Sequence, residues 1–137
     1  MPTLSALAAS QPRVVSVLTA ALASRRLHHG YLFVEPEEGT GEALAIAMAG
    51  ALVCQSPVAG DACGECAACR KHAGGNHPDV VVLRPSEEKG IITADAVREV
   101  SRRVSLKSME GGRKVVLIVR VDLANATAQN SLLKTCL

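Results

Sequence analysis

Four of the five cysteines lie close together in the chain, at a spacing suited to binding a metal ion: Cys54, Cys63, Cys66 and Cys69. Tetrahedral Zn²⁺ needs four ligands, and C-x2-C steps let neighbouring thiolates turn toward one point. Gly60 and Gly64 are placed to supply the tight turns of such a loop. Because four thiolates would complete the coordination shell, the spacing predicts a structural zinc site, not a catalytic one.

Two other interpretations of these cysteines stay open. They could be reduced thiols without a metal, or two of them could form a redox pair. His72 and His77 follow closely and could replace a cysteine as ligand, although a set of four thiolates does not need them. Cys136 stands far along the chain, where a small buried hydrophobic residue is the simplest interpretation.

A second candidate site is a glycine-containing loop that follows a short apolar run and precedes an apolar helix. This is the position of a phosphate-binding loop, in which a Lys binds phosphate and the next residue, Ser or Thr, binds Mg²⁺. Here the two positions are Glu42 and Ala43. We therefore predict a degenerate loop that binds no nucleotide, made of Gly39, Thr40, Gly41, Glu42 and Ala43.

Two further features argue against nucleotide chemistry. The carboxylates of Glu35, Glu37 and Glu38 surround the loop and would repel a polyphosphate. The second half of such a site should be an apolar strand ending in Asp-Glu, but here the degenerate second motif is Val119 and Arg120. For the glycines alone, an ordinary strand-to-helix turn is the alternative.

The composition restricts the class of partner and the compartment. The net charge is only +2, so the chain lacks the strong basic excess of proteins that hold DNA through its phosphates alone. Aromatic residues make up 1%, which argues against a surface that stacks single-stranded bases. The N-terminus lacks the pattern of a signal peptide, and no apolar stretch is long enough to span a membrane. We therefore expect a cytoplasmic protein.

Helices are predicted from apolar spacing and capping residues. The first covers 12–26, with Ser10 as its cap, and the second covers 42–53 and is apolar on nearly all sides. Thr93 is placed to cap a third helix and Asn125 a last one.

Strands are predicted between these helices, at 31–34, 79–83 and 114–119. The last is so apolar that it should be buried on both faces of a parallel sheet. Alternation of strands and helices predicts an α/β domain with a largely parallel sheet, interrupted by the cysteine segment at 54–76.

Taken in order, these motifs resemble the delta prime subunits of bacterial DNA polymerase III clamp loaders, from about Gln11 onward. The matching segments are the run before the glycine loop, the cysteine module, the entry to the next strand, the third helix and the region of the second motif: 28–33, 54–69, 77–79, 93–99 and 114–135.

The resemblance implies a P-loop NTPase-like (AAA+) fold. Residues 1–137 would form part of the N-terminal AAA+ domain, with a zinc-binding insertion at 54–76 and a sheet cut short before its end. It also implies a non-catalytic stator subunit that helps to load the sliding clamp onto primed DNA during replication. The implied cofactor is structural Zn²⁺, without a functional ATP site.

Within this family the chain would be a component of a polymerase holoenzyme. The chain itself would have no ATPase or polymerase activity. The implied partners are the gamma/tau and delta subunits and, through the complex, the sliding clamp and primed DNA, with no membrane contact. The family presents an arginine to a neighbouring ATP site from a Ser-Arg-Cys motif, which these 137 residues do not contain.

Two other functions stay open. A gamma/tau-type subunit shares the four-cysteine module, but it should keep the Lys and the hydroxyl of the phosphate loop and the Asp-Glu pair of the second motif. The residues at those positions here argue against this alternative: Glu42, Ala43, Val119 and Arg120. A stand-alone zinc module that binds nucleic acid is the other alternative, and it would bind DNA with a steep salt dependence.

Overall fold

A computed structural model describes residues 2–36, 39–109 and 112–136. The chain divides into two compact units, Met1–His77 and Pro78–Leu137. The first unit contains α1 (Leu4–Leu7), α2 (Pro12–Ser24), α3 (Thr40–Val53) and α4 (Ala67–Ala73). The second contains β1 (Val80–Leu83), α5 (Ala94–Ser105), β2 (Val115–Ile118), a 3-10 helix (Val121–Leu123) and α6 (Ala126–Cys136). The assignment of 1–137 to one partial domain with an insertion at 54–76 stays a prediction.

The first unit is built around α3, which is apolar on nearly all sides, as predicted. Its core joins α1, α2 and α3 through seven buried side chains: Leu4, Val15, Leu18, Leu44, Ala47, Met48 and Ala51. The short helix α1 was not predicted. Thr3 caps it, because its Oγ1 accepts a hydrogen bond from the amide of Ala6 at 3.3 Å.

The predicted cap of α2 is wrong. The helix begins at Pro12, as expected, but Gln11 occupies the capping position, and Ser10 instead donates from its hydroxyl to the carbonyl of Leu7 at 3.2 Å. A capping side chain must reach the amides of the second or third helical residue. Ser10 lies one residue too early for that contact.

The second unit is a parallel β–α–β arrangement, as the alternation of elements predicts. Strands β1 and β2 pair in parallel from Val80↔Val115 to Leu83↔Ile118. The buried core of this unit comes from β1, α5, α6 and the loops beside them: Val81, Leu83, Ile92, Val97, Val100, Ala124 and Ala128. Val116 and Ile118 of β2 are partly buried and pack against it. Both predicted caps are confirmed, since Thr93 Oγ1 accepts from Ala96 at 3.3 Å and Asn125 Oδ1 accepts from Ala128 at 2.9 Å.

The strand predicted at 31–34 does not form among the described residues. Leu32 is 74% exposed and Val34 is 87% exposed, whereas Phe33 is partly buried against the core of the first unit. The segment pairs with no strand among the described residues. A strand is stable only with a hydrogen-bonded neighbour, and the described sheet consists of β1 and β2, in the other unit. Strand β2 pairs with β1 and is half-buried along its whole length. The prediction that both its faces are covered is therefore wrong.

The described helices include none that combines the length and the apolarity needed to cross a bilayer.

Candidate metal centre

The four clustered cysteines converge on one point in the first unit. Their sulfur atoms all lie within 4.8 Å of one another, with Cys54 Sγ 3.9 Å from Cys66 Sγ and Cys63 Sγ 4.0 Å from Cys69 Sγ. A metal–sulfur bond of about 2.3 Å places the sulfurs of a tetrahedron about 3.8 Å apart, so the cluster has the size of a tetrahedral metal site. All four cysteines are free, and a disulfide would need about 2.05 Å between sulfurs.

Local backbone structure brings the four thiols together. Cys54 directly follows α3, and Cys66 caps α4, whose first turn contains Cys69. Gly60 and Gly64 have φ angles of +78° and +77°, which confirms the tight turns that the sequence predicts there.

Backbone amides donate hydrogen bonds to sulfur atoms of the cluster. Cys54 Sγ accepts from two amides at 3.3 and 3.4 Å, and Cys63 Sγ accepts from two at 3.4 and 3.5 Å. Cys66 Sγ likewise accepts from two amides at 3.4 and 3.5 Å. Such N–H groups stabilise the negatively charged thiolate, and the thiolate is the form of cysteine that binds a metal.

The thiols differ in pKa. Burial raises the pKa of Cys66, but the amides of Gln55 and Cys69 outweigh that effect and lower it to about 6. Burial is the main cause that raises the pKa of Cys69 to about 12, and it also raises the pKa of Cys54. A backbone amide lowers the pKa of Cys63. A metal ion would bind all four side chains as thiolates and would displace any protons that they carry.

His72 has a structural contact that the sequence did not reveal. Its Nε2 lies 2.8 Å from the carbonyl oxygen of Ile46, to which it donates, and this bond fastens α4 to α3. The helices meet at Gly50, where an added Cβ would lie 3.1 Å from His72 Cδ2. His77 is buried as well. The cluster of possible metal ligands found in the described chain contains four cysteines and neither histidine.

Asp61 is the residue of this region that sequence reasoning missed. Its carboxylate is 6% exposed and accepts from the amides of Leu4 at 3.1 Å and Ser5 at 2.9 Å, and from the Ser5 hydroxyl at 2.6 Å. Burial raises its pKa, but the hydrogen bonds from Ser5 and its neighbours outweigh burial and lower it. An Asp beside a Gly in a turn is ordinary, and no local pattern points to partners 56 and 57 residues away.

The glycine loop also lies in the first unit. Gly39 has φ +103° and α3 begins at Thr40, so a turn into a helix is present as predicted. The carboxylate of Glu35 accepts hydrogen bonds from the amides of Gly39, at 3.2 Å, and Gly41. An added Cβ on Gly41 would lie 3.0 Å from Glu35 Oε2, so any larger residue at this position would crowd the carboxylate. Amides that would face a phosphate in a working loop therefore face a carboxylate of the same chain.

The side chains that follow offer nothing that binds phosphate. Glu42 lies in the first turn of α3 and Ala43 comes next. An open cleft of about 300 Å³ lies beside them, and its described lining contains no basic residue: Pro2, Gly39, Glu42, Ala43 and Ile46. Glu37 and Glu38, which were predicted to repel phosphate, lie outside the described residues.

The second motif lies in the other unit. The amide of Val119 donates to the carbonyl of Leu83 at 2.9 Å, just beyond β2. Arg120 has φ +57°, and its guanidinium makes two hydrogen bonds to the carboxylate of Asp122, at 3.0 and 2.9 Å. These bonds lower the pKa of Asp122. The residues that end this strand are thus an apolar side chain and a paired cation.

Comparison with known proteins agrees with this pattern. A family model described as "DNA polymerase III, delta subunit" matches residues 10–136. DNA polymerase III subunit delta' of Pseudomonas aeruginosa is 43% identical over 119 residues, covering 86% of this chain and 36% of the relative. The Escherichia coli delta' subunit is 37% identical, covering 86% and 35%.

A tau subunit is also similar. DNA polymerase III subunit tau of Bacillus subtilis is 31% identical over 126 residues, covering 91% of this chain and 22% of the relative. The chain spans about a third of the length of the delta' relatives. Because the family model covers nearly the whole sequence, the chain belongs to the DNA polymerase III delta subunit family.

Proposed function

We propose that this chain contributes to a clamp-loader subunit of DNA polymerase III that holds a structural zinc ion and neither binds nor hydrolyses ATP. Family membership and the delta' relatives support a role in replication. The observation that carries the non-catalytic part is the Glu35 carboxylate, which takes the amides of Gly39 and Gly41.

The metal part of the proposal rests on the sulfur geometry. Four sulfur ligands at tetrahedral spacing favour Zn²⁺ over the oxygen-preferring cations Mg²⁺ and Ca²⁺. Cys54, Cys63, Cys66 and Cys69 would hold the ion, and a full shell of thiolates supplies no open position for a reacting water. The ion would fix the loop between α3 and α4.

The nucleotide part rests on charge. At the end of the loop Glu42 replaces a cation with an anion, and Ala43 has no oxygen for Mg²⁺. The Glu35 carboxylate already satisfies two amides of the turn, so a phosphate would have to displace it. Each of these features disfavours a bound polyphosphate.

In this role the chain would act as a stator beside subunits that do bind ATP. Its proposed partners are the gamma/tau and delta subunits and, through them, the sliding clamp and primed DNA in the cytoplasm. A tau-type, ATP-binding subunit is the competing function, because a tau relative also matches most of the chain. The residues at Glu42, Ala43, Val119 and Arg120 favour the stator.

Calorimetric titration of the zinc-loaded chain with Mg-ATP tests the proposal. We expect no binding up to millimolar nucleotide, whereas submicromolar affinity would support the tau-type alternative. The comparison variant restores the missing groups together, as Glu42→Lys, Ala43→Thr, Val119→Asp and Arg120→Glu. Its zinc content, measured by elemental analysis, reports whether the first unit still folds.

A further inference from the structure

The metal loop is attached to the segment at residues 3–10, far away in sequence. Asp61 accepts three hydrogen bonds from that segment, two from Ser5 and one from the amide of Leu4. The fourth bond to its carboxylate comes from the amide of Ala62 at 2.8 Å, inside the loop. This buried carboxylate is thus a polar link between α1 and the cysteine cluster.

The position of Asp61 depends on a turn that lies between two of the cysteines. Val58 and Asp61 exchange two backbone hydrogen bonds, at 2.9 and 3.0 Å, which close the turn. The amide of Cys63, two residues later, donates to Cys54 Sγ at 3.3 Å, so the ends of this loop meet at the sulfur cluster. A metal ion bound by both thiols would hold these ends together and reduce the freedom of the loop that carries Asp61.

The same contact involves a residue whose large apolar side chain is fully buried. Leu4 is 0% exposed and belongs to the core formed with α2 and α3. Its amide donates to Asp61, so release of the carboxylate would leave the first two amides of α1 without this acceptor and remove an anchor of Leu4. The four-residue helix α1 is too short to persist without such contacts.

We propose that metal binding by the four cysteines controls the docking of residues 3–10, and that Asp61 is the positioning residue that connects the two. Loss of the metal would free the turn at 58–61, release the segment and expose the apolar surface beneath Leu4. The coupling must be reciprocal, so the docked segment also strengthens metal binding. This inference rests on the proposed metal binding.

Hydrogen exchange of individual amides tests the coupling, with zinc content measured in parallel. In the zinc-loaded chain we expect the amides of Leu4 and Ser5 to be protected. After chelation under reducing conditions they should exchange at least about tenfold faster. The amides of Val115 and Val119, hydrogen-bonded in the second unit, should keep their protection and exclude global unfolding.

Asp61→Asn tests the contact with residues 3–10 while the metal site is kept. It leaves all four thiols in place, but its NH2 group replaces one of the two oxygens that accept hydrogen bonds from Leu4 and Ser5. We expect it to retain zinc and still release Leu4 and Ser5. Asp79→Asn is the matched control, because Asp79 is a buried carboxylate of the second unit that accepts from Ser108 and Met109. It should leave the exchange of residues 3–10 unchanged.

Ser5→Ala, which lies outside the loop, decides the matter if Asp61→Asn does not fold. It removes one donor to the carboxylate and should speed exchange of the Leu4 amide by a smaller factor. The proposal is overturned if zinc-loaded Asp61→Asn or Ser5→Ala keeps the protection of the parent chain, or if removing zinc leaves these amides protected. A chain that contains no zinc would instead contradict the metal site itself.

Discussion

The cysteine cluster and the glycine loop both lie in the first unit, and both are shaped by turns that contain glycine. They differ in whether the side chains at those turns suit a ligand. In the cluster, turns at Gly60 and Gly64 bring together four side chains that all suit one metal ion. In the glycine loop, the turn at Gly39 and the start of α3 are present, but Glu42 and Ala43 stand where phosphate chemistry would need Lys and Ser or Thr. Backbone shape alone therefore does not reveal whether a site can function.

The backbone amides of the two regions donate to different kinds of acceptor. Amides around the cysteines donate to sulfur atoms that are ready for a metal, whereas amides of the glycine loop donate to the Glu35 carboxylate. Buried or partly buried N–H groups must be paired in either case. The Glu35 carboxylate bonds the exposed amide of Gly39 and the partly buried amide of Gly41 without a bound ligand.

The largest expected effect comes from breaking the cysteine cluster. Cys66→Ser removes one of four ligands, so we expect zinc content to fall from about one ion per chain to well below half. Since metal binding and ordering of the loop are coupled, the unfolding temperature should drop by at least about 10 °C. Elemental analysis and thermal denaturation measure the two effects.

Cys136→Ser is the control for that change, because Cys136 is far from the cluster in sequence. It should retain the metal. Equal zinc loss in both variants would show that the convergence of the sulfurs has no metal-binding role. So would a parent chain that lacks metal and in which the four thiols of the cluster titrate freely.

A smaller effect should separate two glycines with the same backbone conformation. Gly60 and Gly64 both have positive φ, but a Cβ on Gly60 would lie 2.1 Å from the carbonyl oxygen of Thr19 in α2, whereas Gly64 has nothing within 4 Å. Gly64→Ala should cost about 1–2 kcal/mol from backbone strain alone. Gly60→Ala should cost at least about 2 kcal/mol more, because the backbone must also shift.

Denaturant unfolding of the two variants measures this difference in the free energy of unfolding. If Gly60→Ala and Gly64→Ala are equally stable, the loop does not pack against α2 as described, and the attachment of the metal loop to the first unit needs revision.

The smallest change in stability is expected in the glycine loop. Glu35→Gln replaces one of the two acceptor oxygens and removes a negative charge near the start of α3, so it should cost about 1 kcal/mol. The NMR amide resonances of Gly39 and Gly41 should move. Glu88→Gln, a change in an exposed loop of the second unit, should move neither resonance. Unchanged signals in Glu35→Gln would mean that the carboxylate does not occupy these amides.

The cysteine cluster could be predicted from the sequence because its four thiols are close together in the chain. Four thiols within one short segment need only a few turns to meet, and the glycines of those turns are visible in the sequence. Caps such as Thr93 and Asn125 are equally local, since each bonds an amide three residues later.

The contacts that the sequence did not reveal are long-range. Asp61 bonds residues 56 and 57 positions away, and His72 bonds a carbonyl 26 positions away, so neither leaves a periodic signal. The strand predicted at 31–34 failed because its formation depends on a neighbouring strand and not on its own apolar residues. Local spacing thus predicts ligands and caps, while packing partners require the fold.

ATP turnover by the unmodified, zinc-loaded chain, purified free of contaminating ATPases, tests the central claim most directly. We expect no hydrolysis above buffer, and none after Glu42→Lys, because Ala43, Val119 and Arg120 still supply neither a ligand for Mg²⁺ nor a base for water. Glu42→Ala should likewise make no difference. Hydrolysis by the parent chain that Glu42→Ala abolishes would contradict the account and establish the glycine loop as a working site.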